Sequence, residues 1–82
     1  MANSLYDPRY KRLIERLISE RKRNGMTQRD VAARLKQPAS YVGKVETGQR
    51  RVDLIELVDM LEAMGVKPSK FITDALSELK RR

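Results

Sequence analysis

Ser40 and Lys44 are the residues of this chain whose types and spacing come nearest to catalytic chemistry. They lie four positions apart, so on a helix they share one face, as a serine nucleophile and a lysine base would. An exposed lysine stays charged, however, and no third group or oxyanion hole is evident. Gly43-Lys44 lacks the rest of a phosphate-binding P-loop. The chain has no cysteine and no histidine, which excludes thiolate catalysis and the usual zinc ligands. We therefore expect no enzyme, no metal and no cofactor.

The positive charge of the chain is concentrated in its first part. Residues 1–52 contain 13 Lys and Arg against 5 Asp and Glu, whereas residues 53–82 contain 5 against 6. Such asymmetry favours binding to a polyanion, with nucleic acid the leading candidate. A solvated basic surface has the same composition, so charge alone leaves both interpretations open.

The first helix that could support these residues begins at Asp7-Pro8, since Asp is a favoured N-cap and Pro a favoured first helical residue. Apolar residues then recur at helical spacing as far as about Arg23, and residues 1–7 form a short N-terminal arm. Taken alone, this basic amphipathic helix also suits an anionic membrane surface or a calmodulin-type target. We prefer a role in the core, because the later helices need its apolar face.

Two short helices come next. Thr27 and Asp30 predict a capping box for a helix over about 28–35, and Pro38 predicts the start of another that runs to about Glu46. The second of these helices turns Val42 inward and leaves small polar and basic residues outward. Two helices joined by three or four residues in this way are typical of a helix-turn-helix that reads the major groove of DNA.

Two further helices complete the predicted fold. Asp53 and Glu56 form a second capping box, for a helix whose apolar residues we expect to be largely buried: Leu54, Ile55, Leu57, Val58, Leu61 and Met64. Pro68 opens a fifth helix over about 68–80. Residues 8–82 are therefore predicted to form one all-α domain of five helices. Because no apolar run is long enough to span a membrane and no signal peptide is evident, we expect a cytoplasmic protein that is nucleoid-associated when bound.

Taken in order, these residues resemble the phage repressor and Cro type of helix-turn-helix transcriptional regulator, the XRE family. The match covers about residues 21–71, and its motifs in this chain are Gly25-Met26-Thr27-Gln28, Val31-Ala32, Leu35, Ser40-Tyr41-Val42, Lys44-Val45-Glu46, Gly48, Gly65-Val66 and Pro68-Ser69. No single motif is decisive, but the ordered set is specific. The resemblance implies a lambda-repressor-like bundle of five helices whose third is the recognition helix. It also implies a bacterial or phage regulator, a repressor that binds specific double-stranded DNA.

The resemblance assigns roles to individual residues. The base-reading positions of the family fall on Ala39, Ser40 and Lys44. Lysine can donate to guanine, serine can bond either kind of base edge, and alanine can meet a thymine methyl. The phosphate-binding positions are Gln28, Tyr41, Arg50 and Arg51, of which Gln28 stands at a helix N-terminus, a favourable place for an anion. For each of these residues, ordinary solvent exposure is the alternative.

Four other residues bear on how the motif is built. Arg21 and Glu46 match a structural ion pair of the family, which fixes geometry and has no part in chemistry. Lys36 stands where the family commonly has glycine in a turn that often needs positive φ, so we expect strain or a slightly different turn. Gly43 lies inside the recognition helix at a cost of about 1 kcal/mol relative to alanine. It either permits a close approach or is a tolerated weakness.

We expect the working form to be a homodimer on a palindromic operator, because one recognition helix reads only about four base pairs. The predicted dimer contact is the stripe of the fifth helix, Phe71, Ile72, Ala75, Leu76 and Leu79, although these residues could simply close the core. The alternative functions are an antitoxin that binds a toxin protein and a controller of restriction–modification genes. The chain offers little room for a toxin-binding segment beyond the fifth helix, which weakens the first alternative.

Overall fold

Five α-helices follow one another in the computed structural model, which describes residues 7–80. They are α1 Pro8–Arg23, α2 Gln28–Leu35, α3 Ser40–Glu46, α4 Leu54–Ala63 and α5 Pro68–Lys80. The predicted all-α architecture of five helices is confirmed. Of the arm expected at residues 1–7, all but Asp7 lies outside the described residues. Between residues 7 and 80 no helix is long and apolar enough to cross a membrane.

Three of the helices have the N-caps that the sequence predicts, each a side chain that accepts a backbone hydrogen bond. Asp7 accepts a bond of 2.8 Å from the Arg9 N–H, and hydrogen bonds from Arg9 lower the pKa of Asp7 to about 2. The capping box at the start of α2 is formed in both directions, with Asp30 N–H donating to Thr27 and Thr27 N–H donating to Asp30. The box at the start of α4, between residues 53 and 56, is likewise complete.

The start of α3 is the exception. The helix begins at Ser40 and not at Pro38. The chain before it forms a tighter turn, in which the Tyr41 N–H donates to the carbonyl of Pro38, three residues earlier, at 2.9 Å. Such i→i+3 bonds are common at helix ends. Ala39 therefore occupies the N-cap position, with helical dihedral angles and no side-chain cap.

One motif ends each of the first four helices. In every case a residue just past the helix takes positive φ while two backbone N–H groups turn back to carbonyls of the last turn, which is the Schellman arrangement. Three of these residues are glycines, at positions 25, 48 and 65, and the fourth is Lys36 with φ 57° and ψ 41°. The turn between α2 and α3 thus keeps the geometry that glycine favours, and Lys36 adopts it with the strain that a side chain adds.

The core lies where all five helices meet. α2 packs against α3 and α4, α1 packs against α3 and α5, and α4 packs against α5. Each helix contributes at least two buried apolar residues to a single cluster, and α4 together with its C-cap contributes four. The members of the cluster are Ile14, Leu17, Val31, Ala32, Val42, Val45, Leu57, Met60, Leu61, Met64, Phe71 and Ala75.

The expectation that the apolar residues of α4 would be largely buried is wrong for its first turn. Leu54 and Ile55 are 62% and 68% exposed, whereas Leu57 and Leu61 are buried. Helical side chains lean toward the N-terminus of their helix. The two apolar residues of the first turn of α4 therefore lean away from the packed turns of the helix and do not reach the core.

The strain at Lys36 yields a stability prediction. We expect Lys36→Gly to raise the free energy of unfolding by about 1 kcal/mol, because glycine adopts positive φ without the clash of a side chain. In a domain of this size that corresponds to a rise of about 4–8 °C in Tm, measured by circular dichroism. The matched control is Lys36→Ala, which removes the charge but keeps the Cβ atom and should leave Tm near its original value. Equal Tm values for the two variants would contradict the assignment of strain.

Candidate nucleic-acid interface

α3 separates an apolar inner face from a polar outer face. Val42 and Val45 are completely buried, whereas Ala39, Ser40 and Lys44 are all exposed. Ser40 and Lys44 lie one helical turn apart on the same side. The three residues predicted to read bases are therefore all exposed: Ser40 and Lys44 share the outer face of α3, and Ala39 lies at its N-cap.

A buried ion pair holds α3 against α1. Arg21 donates from Nε to one carboxylate oxygen of Glu46 at 2.7 Å and from Nη2 to the other at 3.0 Å, and its Nη1 donates to the Met26 carbonyl at 2.9 Å. The Glu46 side chain is 4% exposed and that of Arg21 is 10% exposed. The two residues that the resemblance paired do form a pair, in the bidentate geometry that fixes orientation best.

Gln28 joins the same carboxylate from α2. Its amide nitrogen donates to Oε1 of Glu46 at 2.8 Å. Because a carboxylate can only accept, the amide must turn its NH₂ group toward Glu46. Glu46 therefore ties α1, α2 and α3 together. Gln28 therefore has a hydrogen-bond partner inside the protein, in addition to the phosphate contact that the sequence predicts. One of its two amide hydrogens remains available for an external acceptor.

An open cleft of about 610 Å³ lies between the α1–α2 turn and the start of α3. Gln28 and Ala39 both line it, so one phosphate-binding and one base-reading position are neighbours. Thr27 accepts from the Asp30 N–H, whereas the N–H groups of Gln28 and Arg29 have no intrahelical acceptor and favour an anion. Lys22 and Arg29 also line the cleft. The sequence alone does not indicate a role for these two residues, because their meeting depends on the angle between α1 and α2.

Tyr41 and Arg50 form a second cluster at the other side of α3. The guanidinium of Arg50 stacks on the Tyr41 ring at 4.8 Å from its centre and bonds both oxygens of Glu56 in α4, at 3.2 and 2.9 Å. The hydrogen bond from Arg50 lowers the pKa of Glu56, while partial burial and the Glu56 charge raise the pKa of Tyr41. The sequence pattern indicates only a capping role for Glu56, because its pairing with Arg50 depends on how the loop before α4 is placed.

The two arginines that follow α3 differ in their surroundings. Arg50 is paired with Glu56, and its side chain is 41% exposed. Arg51 is exposed and forms no ion pair with any residue between 7 and 80. Both positions are predicted to contact phosphates. Among the described residues, no carboxylate competes with a phosphate for the positive charge of Arg51, whereas the charge of Arg50 is already paired with Glu56.

The residues expected at a dimer interface are divided by the fold. Phe71 and Ala75 are only 3% and 6% exposed within the single chain, so they close its own core and do not present an interface. Ile72 and Leu79 are half-buried, and Leu76 is 50% exposed. The broad stripe of α5 thus serves two purposes: one edge packs inward, and the other remains at the surface.

Comparisons with known proteins agree with this geometry. A helix-turn-helix family model matches residues 17–71. The chain is similar to a solved structure described as an XRE-family-like protein from Pseudomonas syringae pv. tomato, with 33% identity over 92% of each chain and a TM-score of 0.86. No curated protein matches the chain.

The burial of Glu46 predicts a large effect on stability. Glu46→Ala leaves the Arg21 charge buried without its partner, so we expect the free energy of unfolding to fall by about 3–5 kcal/mol. Thermal unfolding followed by circular dichroism measures this loss. The matched control is Glu62→Ala on the exposed face of α4, which should change stability by no more than about 0.5 kcal/mol. An unchanged Tm in Glu46→Ala would show that the pair contributes nothing to the fold.

Proposed function

Because the chain belongs to the XRE family of helix-turn-helix proteins and is a DNA-binding transcriptional regulator, we propose that it represses transcription as a homodimer on a palindromic operator. Repression needs a bound protein that covers the promoter, and the exposed outer face of α3 supports such binding. Regulators with this fold are typically not enzymes, and we propose the same here. Ser40 and Lys44 then serve as hydrogen-bond donors to bases.

The observation that carries the proposal is the outer face of α3. Ala39, Ser40 and Lys44 are exposed on a helix whose inner face is completely buried, and Glu46 holds that helix from two sides. A recognition helix contacts base edges with its N-terminal part, where Ala39 and Ser40 lie. Lys44 is one turn further along and can donate to the O6 and N7 atoms of guanine.

Phosphate contacts would surround this reading face. Gln28 at the cleft supplies a neutral amide donor beside the free N–H groups of α2. Tyr41 supplies a phenol O–H, and Arg51 supplies a positive charge that no carboxylate between residues 7 and 80 pairs with. Arg50 orients Tyr41 by stacking and contributes to phosphate binding only to the extent that a phosphate competes with Glu56. We therefore assign the main electrostatic contact to Arg51.

The spacing of the surface residues of α5 supports a dimer contact through this helix. Ile72, Leu76 and Leu79 follow at i, i+4 and i+7, so they form one stripe that can pack against its own copy about a two-fold axis. The more exposed pair Leu54 and Ile55 are adjacent in sequence and point about 100° apart around the helix. They therefore lie within one turn of α4, whereas the stripe of α5 extends over about two turns.

Substitutions should separate base reading from phosphate binding. We expect Lys44→Ala to relax the preference at one base pair of each half-site, at a cost of about 1–3 kcal/mol for the preferred base. Arg51→Ala should weaken binding to all sequences and lower the slope of log affinity against log salt by about 0.9 for each phosphate that is no longer neutralised. In vitro selection of bound duplexes, followed by salt titration, measures both quantities. A loss of salt dependence in Lys44→Ala together with relaxed specificity in Arg51→Ala would reverse the assignment.

The dimer contact can be tested without DNA. We expect Leu76→Glu to shift the protein to monomer in sedimentation experiments, because the introduced charge repels its copy across the two-fold axis. Ile55→Glu places the same charge on the other exposed apolar surface and should leave the dimer intact. A monomeric parent protein at high micromolar concentration would refute the dimer, and dissociation by Ile55→Glu alone would move the contact to α4.

A further inference from the structure

Gly43 is the one glycine of the described helices that lies inside a helix, on the side of α3 that faces Gln28. A Cβ atom added at this position would lie 3.2 Å from Oε1 of the Gln28 amide, with the amide carbon at 3.8 Å. The closer distance is tighter than ordinary van der Waals contact, so a side chain at position 43 would require the amide to shift by a few tenths of an ångström. The helix thus accepts the least favourable residue after proline at the place where the Gln28 side chain rests on it.

The same amide is held from a second direction. Its nitrogen donates to Glu46, whose own position is fixed by two bonds from Arg21 and by nearly complete burial. Gly43 therefore provides the space for the amide, and Glu46 provides its anchor one turn further along α3. An unrestrained glutamine loses considerable rotamer freedom when it binds a ligand, and a side chain that is already held in place avoids much of that loss.

We propose that Gly43 is a positioning residue, which holds the Gln28 amide in the orientation that binds a DNA phosphate. The proposal rests on the proposed function and extends it to a residue that touches neither a base nor a phosphate. One N–H of the amide donates to Glu46, and the other N–H donates to the phosphate. Gln28 lines the cleft beside the start of α2, where backbone N–H groups favour the same anion.

Three variants test the proposal: Gly43→Ala, Gln28→Ala and the double variant. Binding is measured on a mixed-sequence DNA duplex, because a phosphate contact does not depend on base sequence. We expect Gly43→Ala and Gln28→Ala each to weaken binding about tenfold, the usual effect of losing one hydrogen bond to a charged group. The double variant should bind as weakly as Gln28→Ala alone. The salt slope should stay unchanged in all three, since the missing donor is neutral.

Stability provides a readout that needs no DNA. Alanine is the better helix former, so in the Gln28→Ala background Gly43→Ala should raise the folding equilibrium constant about fivefold. In the parent background the gain should be clearly smaller, because the new methyl group must displace the amide. Additive effects on stability would show that the two side chains do not meet, and would overturn the proposal.

The binding results distinguish failure of this inference from failure of the proposed function. A parent protein that does not bind the duplex at all would refute the proposed function. If the parent binds and Gly43→Ala binds equally well, Gly43 does not position Gln28. If Gly43→Ala still weakens binding tenfold when Gln28 is already alanine, the methyl group obstructs the DNA directly, which also overturns the inference.

Discussion

The carboxylate of Glu46 is the contact on which the rest of the structure depends. It accepts two hydrogen bonds from Arg21 of α1 and one from Gln28 of α2, so three helices meet at one buried charge. A helix of seven residues such as α3 is too short to be stable alone, and its orientation must come from its neighbours. Such a pair fixes geometry more reliably than it adds net stability, because desolvation of the two charges offsets much of their attraction. Its value here lies in the single orientation that it gives to the outer face of α3.

A second anchor fixes the other side of the same helix. Tyr41 is held under Arg50, and Arg50 is held by Glu56, which also caps α4. The outer face of α3 therefore presents its side chains to solvent between two internal anchors. A surface prepared in this way loses little conformational freedom when it binds, which favours affinity for a partner of matching shape and charge. The uneven charge of the chain supplies long-range attraction to that partner, and the anchors supply the register.

Local signals explain why most of the fold could be predicted from the sequence. Asp7, Thr27 and Asp53 each cap a helix through atoms no more than three residues away, and the glycines after the helices act within one turn. The ion pair of Arg21 and Glu46 was found only through the family resemblance, since the pair spans 25 residues. Contacts that depend on angles between helices could not be foreseen.

Those contacts account for the differences between prediction and structure. The approach of Gln28 to Gly43, the pairing of Arg50 with Glu56 and the division of the α5 stripe all depend on how helices are placed. The exposure of Leu54 and Ile55 has the same origin, since hydropathy alone does not tell where a helix leaves the bundle.

The central claim is that DNA contacts α3 and the start of α2 together. Nuclear magnetic resonance of the isotope-labelled protein, titrated with a DNA duplex at low salt, tests it residue by residue. We expect the largest amide shifts at Gln28 and Arg29 and across residues 39–44, while the amides of α5 at residues 73–77 stay unchanged. Shifts confined to α5 or to the exposed first turns of α1, with α3 unaffected, would contradict it.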